Sequence, residues 1–191
     1  MLSYNIKKNI PNTLSILRIF LAIFFILLLF KKNFSAAAGV FAFAAITDFL
    51  DGFWARKWHV TSELGAIIDP LADKFLITLA YLSLFHMDFI PGYVCAIVLG
   101  RDIAIVLGVL LCKIHRVELK IAPLKSSKIN TATQLIYVFF VIVCNLLSTN
   151  IPLTWEMPIC SLIVSLSTTV SGFDYVLKYY WIKDAILKNK R

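Results

Sequence analysis

Residues 48–73 hold four aspartates, Asp48, Asp51, Asp69 and Asp73, between strongly apolar runs on either side. On an α-helix, positions three or four apart share a face, so 48 with 51 and 69 with 73 form two acidic faces that can meet. Grouped carboxylates repel. Each also costs ~2.5–3.5 kcal/mol at membrane depth, so the set calls for a compensating cation. Carboxylate oxygens suit a hard divalent ion such as Mg²⁺ or Mn²⁺, the ions that also bind phosphate oxygens. The competing reading, helix-end acids that cap or pair with Arg56 and Lys74, accounts for one or two of the four.

The elements that must position these acids are apolar. Of the 191 residues, 60% are hydrophobic and 16% are charged, a balance that excludes an ordinary soluble domain and implies an integral membrane protein. The net charge of +8 does not indicate nucleic acid, because the basic residues are scattered between apolar runs rather than gathered on one face. The cysteines, Cys95, Cys112, Cys144 and Cys160, lie in or beside apolar runs without C-x-x-C spacing. They read as buried free thiols, neither disulfides nor zinc ligands.

Six spans are predicted, over residues 14–30, 35–53, 65–85, 91–111, 126–147 and 158–182. The expected fold is therefore an all-α polytopic bundle of six transmembrane helices, forming a single domain over residues 1–191. No small-x-small site separates the first run from Lys31, so a cleaved signal is not expected. Asn12 or Thr13 should cap the first helix after Pro11. Arg18 then lies about one turn inside, to snorkel or to contact phosphate. Lys31, Lys32 and Asn33 form a turn, and Ala36, Ala37, Ala38, Gly39, Ala42, Ala44 and Ala45 allow close packing of the second span. Residues 56–63 read as a polar connection, and Pro70 as a residue of the next helix's first turn.

Counting Lys and Arg, the side holding residues 56–63 and the 113–128 segment carries 14, and the opposite side carries only Lys31 and Lys32. That bias makes the acid-bearing side cytoplasmic, together with the first and last polar segments. A bacterial inner membrane is the expected location.

Outside the acid stretch, Arg101 and Asp102 lie mid-span. As neighbours about 100° apart on a helix, they are expected to contact different partners rather than each other. The polar stretch before the fifth span carries Arg116, and Ser126, Ser127, Lys128, Asn130 and Thr131 open that span, where a helix N-terminus suits an anion. Asp174 reads as a partner for nearby lysines.

The arrangement Asp48-x2-Asp51-Gly52-x2-Ala55-Arg56-x8-Gly65-x3-Asp69-x3-Asp73 resembles the complete signature of the CDP-alcohol phosphotransferases. Eight fixed residues at fixed spacing match by chance on the order of 10⁻¹⁰ per starting point. The resemblance implies transfer of a phosphatidyl group from CDP-diacylglycerol to an alcohol, with release of CMP. It implies Asp48, Asp51, Asp69 and Asp73 as metal ligands, Asp73 also as the base, and Gly52, Ala55, Arg56 and Gly65 around the CDP-lipid. The opening Ile10-Pro11-Asn12-x-Leu14-Ser15-x2-Arg18 is similar to the cardiolipin synthase and phosphatidylglycerophosphate synthase branches alike. Arg101-Asp102 and Ser127-Lys128-x-Asn130-Thr131-x2-Gln134 look more like the mitochondrial-type cardiolipin synthases. Phosphatidylglycerol is therefore the preferred acceptor and glycerol 3-phosphate the alternative. Arg101, Arg116 and Lys128 are the candidate acceptor-binding residues. Membrane lipids are expected partners, and a homodimer is among the expected assemblies. The rival from another class is a non-enzymatic protein whose intramembrane acids conduct ions.

Overall fold

A computed structural model describes the backbone of residues 2–58, 65–114, 125–147 and 156–188, and the side chains of 16–47, 74–108, 126–147 and 158–178. Every element among the described residues is helical: α1 Leu2–Phe30, α2 Phe34–Trp58, α3 Gly65–His86, α4 Gly92–Ile114, α5 Lys125–Leu147 and α6 Glu156–Lys188.

The six expected spans each fall on one of these helices, and the bounds differ informatively. Helix α1 runs through Pro11, so Asn12 and Thr13 are interior residues and not its cap. Leu2, Ile6 and Ile10 stand four apart and extend the apolar stripe from Leu14 backwards, which favours continuing the helix despite the hydrogen bond that Pro11 removes. Helix α2 continues to Trp58, which puts Arg56 on the helix rather than in a polar connection. Its last turns hold Ala, Arg and Lys, all good helix formers. Pro70 is the sixth residue of α3, inside the second turn. Helix α6 reaches Lys188, beyond the expected 182.

The chain divides into two compact units. The first comprises Met1–Phe89 with Val138–Leu153, and in it α1 packs against both α2 and α3. Two tight helix ends set its connections. After α1, Lys32 adopts φ 56°, with the Asn33 N–H donating to Leu28 O at 3.0 Å and the Lys32 N–H to Leu29 O at 2.8 Å. Asp88 repeats the arrangement after α3 at φ 58°, with the Phe89 N–H donating to Leu84 O at 2.9 Å. Both are left-handed C-terminal caps that recover orphan carbonyls. Asn33 Oδ1 accepts from the Ala36 N–H at 3.2 Å and caps α2 in turn.

The core of this unit is a set of stripes at three-four spacing. Ala22, Phe25 and Leu29 on α1, Ala37, Phe41 and Ala44 on α2, and Leu76, Ala80 and Leu84 on α3 are all buried. The Phe25 and Phe41 rings stand 5.2 Å apart. Small residues on α2 let the helices approach closely.

The second unit comprises Ile90–Tyr137 with Thr154–Arg191: α4, the first part of α5, and α6, with α4 packed on α6. Helix α6 turns its polar residues inward. Ser161, Ser165, Thr168 and Ser171 are buried, while Ile159, Leu162, Ile163, Leu166, Val170 and Phe173 are exposed. By length and composition, residues 126–147 and 158–178 are long and apolar enough to cross a membrane. Cys95, Cys144 and Cys160 are free thiols; the first two are buried as expected, and Cys160 is only half-buried.

Candidate active site

The side chains of Asp48, Asp51, Gly52, Ala55, Arg56, Gly65, Asp69 and Asp73 lie outside the described residues, and Arg116 lies wholly outside them. The helices carrying the first eight are described, and they set positions along the first unit. Its lower end is fixed by two ring contacts, Phe30 with His86 at 6.0 Å and Phe34 with Phe89 at 5.6 Å. At that end α1 finishes, α2 starts and α3 finishes, so α2 runs away from it while α3 runs towards it.

With 1.5 Å rise per residue, position 48 stands about 21 Å above Phe34 and position 73 about 20 Å above His86. Positions 51 and 69 both stand about 26 Å above those residues. The two acid pairs therefore occupy matched levels on two helices that share α1 as a neighbour. The register agrees. The buried stripe Ala37, Phe41, Ala44 continues at the same spacing to 48 and 51, and the stripe Leu84, Ala80, Leu76 continues to 73 and 69.

Arg18 stands on α1, the helix that packs against both α2 and α3. It is 2% exposed and lies on the buried stripe of Ala22, Phe25 and Leu29. It does not snorkel, because the helix begins well before it and the residue is several turns deep rather than one. Sequence spacing alone leaves its environment open; the stripe it shares with core residues is the signal for burial.

In the second unit, Arg101 and Asp102 form an ion pair, with Arg101 Nη1 donating to Asp102 Oδ1 at 2.7 Å and both residues buried. The expectation that adjacent residues contact different partners is thus corrected. Their Cβ vectors diverge, but the arginine stem is long enough to bring the guanidinium back to its neighbour. The same guanidinium donates from Nη2 to Ser127 Oγ at 2.8 Å and to Ser171 Oγ at 2.7 Å, and it lies 5.5 Å from the centre of the Tyr175 ring. It thereby ties α4 to the start of α5 and to α6. Ser127, Ser171 and Tyr175 went unassigned in the sequence as partners of Arg101. The inward polar stripe of α6, spaced three or four residues apart in an otherwise apolar run, was the available signal.

Further polar contacts continue along the second unit. The Thr168 hydroxyl donates to Asn130 Oδ1 at 2.9 Å, and Tyr137 and Ser161 share a 2.7 Å hydrogen bond. Lys128 is exposed and follows Ser127 directly. Arg101 thus reaches the start of α5 through Ser127, the residue next to the exposed Lys128.

Residues 8–170 match the family model described as CDP-alcohol phosphatidyltransferase. The chain belongs to this family. The match includes all eight signature positions as well as Arg18, Arg101 and Lys128, so both units contribute to the family domain. A cardiolipin synthase (CMP-forming) of Rattus norvegicus is 38% identical over 152 residues, covering 71% of this chain and 50% of the relative. The corresponding Homo sapiens protein is 39% identical over 151 residues, with the same coverage. The chain thus spans about half the length of these two curated relatives. A CDP-diacylglycerol–glycerol-3-phosphate 3-phosphatidyltransferase of Aquifex aeolicus is 33% identical over 176 residues, covering 89% of this chain and 95% of the relative.

Proposed function

We propose that this CDP-alcohol phosphatidyltransferase domain transfers the phosphatidyl group of CDP-diacylglycerol to phosphatidylglycerol, giving cardiolipin and CMP. The observation that carries the reading is the complete eight-residue signature with its two acid pairs at matched levels on α2 and α3. A carboxylate set of this kind fits hard divalent ions. Asp48, Asp51, Asp69 and Asp73 would hold Mg²⁺ or Mn²⁺, which when bound supplies charge neutralisation at the pyrophosphate and at the departing CMP. Asp73 takes the proton from the acceptor hydroxyl. The acceptor oxygen forms its bond to the phosphatidyl phosphorus as the bond from that phosphorus to CMP breaks. Gly52, Ala55 and Gly65 leave room for the CDP-lipid against the backbone, and Arg56 contacts its phosphates.

The setting is a six-helix membrane bundle. It is supported by an inverted pattern in which large apolar residues are exposed and Arg18, Arg101, Asp102, Asn130, Gln134 and Thr168 are buried. The excess of Lys and Arg on the acid-bearing side argues for a cytoplasmic active site, and we assign the chain to a bacterial inner membrane as a single domain that can form a homodimer.

The second reading uses glycerol 3-phosphate, giving phosphatidylglycerophosphate. It is favoured by the Aquifex aeolicus relative, whose length this chain nearly matches. A compact dianionic acceptor needs several fixed cations, whereas phosphatidylglycerol carries one charge and two acyl chains. Supplying labelled glycerol 3-phosphate and phosphatidylglycerol together to purified protein with CDP-diacylglycerol and Mn²⁺ decides between them. Cardiolipin as the product supports the first reading. Exclusive phosphatidylglycerophosphate replaces it with the second, and no CMP with any acceptor from folded protein removes both.

Two substitutions separate the substrates. Arg56→Ala is expected to raise the KM for CDP-diacylglycerol about tenfold with a smaller effect on kcat, the loss of a charge-assisted phosphate contact of about 1.4 kcal/mol. Lys128→Ala is expected to raise the acceptor KM several-fold while leaving the KM for CDP-diacylglycerol unchanged. An unchanged acceptor KM takes Lys128 out of the site.

A further inference from the structure

Arg18 carries a positive charge that must be answered inside the first unit. Its guanidinium stays protonated at any accessible pH, and it heads the largest fully buried side chains, at 2% exposure. Main-chain carbonyls of the surrounding helices serve first their own ladders, so a nearby carboxylate or other anion is the partner that answers such a charge most fully.

The carboxylates available in this unit are Asp48, Asp51, Glu63, Asp69, Asp73 and Asp88. Asp88 caps the lower end of α3, whereas Arg18 stands about 18 Å above Phe30 at that end. Glu63 comes after the end of α2, whose last residue Trp58 stands about 36 Å above Phe34. Positions 48 and 73, at about 21 and 20 Å on the two helices packed against α1, share the level of Arg18. All three also fall on the continuation of the buried stripes.

We infer that Arg18 is a positioning residue of the acid centre, a fixed cation on α1 that offsets part of the charge of the Asp48 and Asp73 positions and holds them in register for metal and acceptor. The inference rests on the metal-dependent reading above and adds a residue that lies outside the eight-residue signature. Its consequence is particular. A fixed positive charge beside a divalent-ion site weakens ion binding while ordering the ligands, so removing it separates affinity from turnover.

The test uses the full chain in detergent, with Mn²⁺ binding followed through the electron paramagnetic resonance signal of the free ion and CMP release measured in parallel. Arg18→Gln is expected to bind Mn²⁺ about five- to tenfold more tightly, through loss of the repulsion. Its kcat should fall about 100-fold with the KM for CDP-diacylglycerol within about twofold of the parent. Arg18→Lys keeps the charge and loses the planar fork, so its Mn²⁺ affinity should stay within about twofold while kcat falls about tenfold. If Arg18→Gln does not accumulate as folded protein, Arg18→Lys carries the test, and a parental kcat in that variant overturns the role. Unchanged or weaker Mn²⁺ binding by folded Arg18→Gln also overturns it, as does a rise in KM alone, which would assign Arg18 to the substrate phosphate. Absence of Mn²⁺ binding by the parent protein overturns the metal-dependent reading itself, an outcome distinct from all of these.

Discussion

Asp73→Asn is expected to abolish CMP release, lowering kcat by about two to four orders of magnitude, the usual worth of a positioned general base. The amide keeps the shape of the side chain and one ligating oxygen, so part of the Mn²⁺ and CDP-diacylglycerol affinity should survive. Asp48→Asn, Asp51→Asn and Asp69→Asn should behave differently. Each removes a negative charge from the proposed cation site, so metal binding and activity should fall together. Measuring Mn²⁺ binding and single-turnover CMP release in the four variants separates the groups. Full activity in Asp73→Asn would end its assignment as the base, and retained activity with lost metal binding in the other three would end the metal-dependent mechanism.

Arg101→Ala should have the largest effect on stability. It removes the cation 2.7 Å from the buried Asp102 carboxylate together with the bonds to Ser127 and Ser171. Breaking a buried pair from one side costs about 3–5 kcal/mol, and in this unit the same change also frees α4 from the start of α5 and from α6. A drop of many degrees in the thermal midpoint in detergent is the expected result. Arg101→Lys, which keeps the charge but cannot serve three acceptors in one plane, should fall between the two. Its acceptor KM is informative as well: a stable Arg101→Lys protein with an unchanged acceptor KM would leave Arg101 a structural clamp and remove it from acceptor binding.

The fate of Arg101 shows why a linear reading of the chain stops short. Helical geometry sets the directions of Cβ vectors, and from these the 101–102 pair is unfavourable; side-chain reach and the lack of water around a buried carboxylate overrule that geometry. Asp102 needs a charge, and its neighbour supplies one at 2.7 Å. The hydroxyls of Ser127 and Ser171, 26 and 70 residues further along the chain, come to Arg101 only through helix packing, which no local pattern encodes. Arg18 is the converse. Its charge was readable, but its depth in the helix, and with it whether it reached for an aqueous surface or faced inward, depended on where α1 began, and the apolar positions 2, 6 and 10 extended that helix through Pro11.

What the amino-acid order determined by itself was chemistry and periodicity. Carboxylate spacing is a local property of the helix, so the pairs 48/51 and 69/73, the family signature and the six apolar runs could all be read directly. The tertiary structure decided levels and partners. It made Phe30, Phe34, His86 and Phe89 one end of the packing of α1 with α2 and α3, from which the backbone positions of the two acid pairs stand at equal heights, and it buried Arg18 on α1. Packing selects among the many ways in which apolar helices of similar length can be stacked, and it does so through side-chain volume and the pairing of buried charges, both of which depend on residues far apart in the chain.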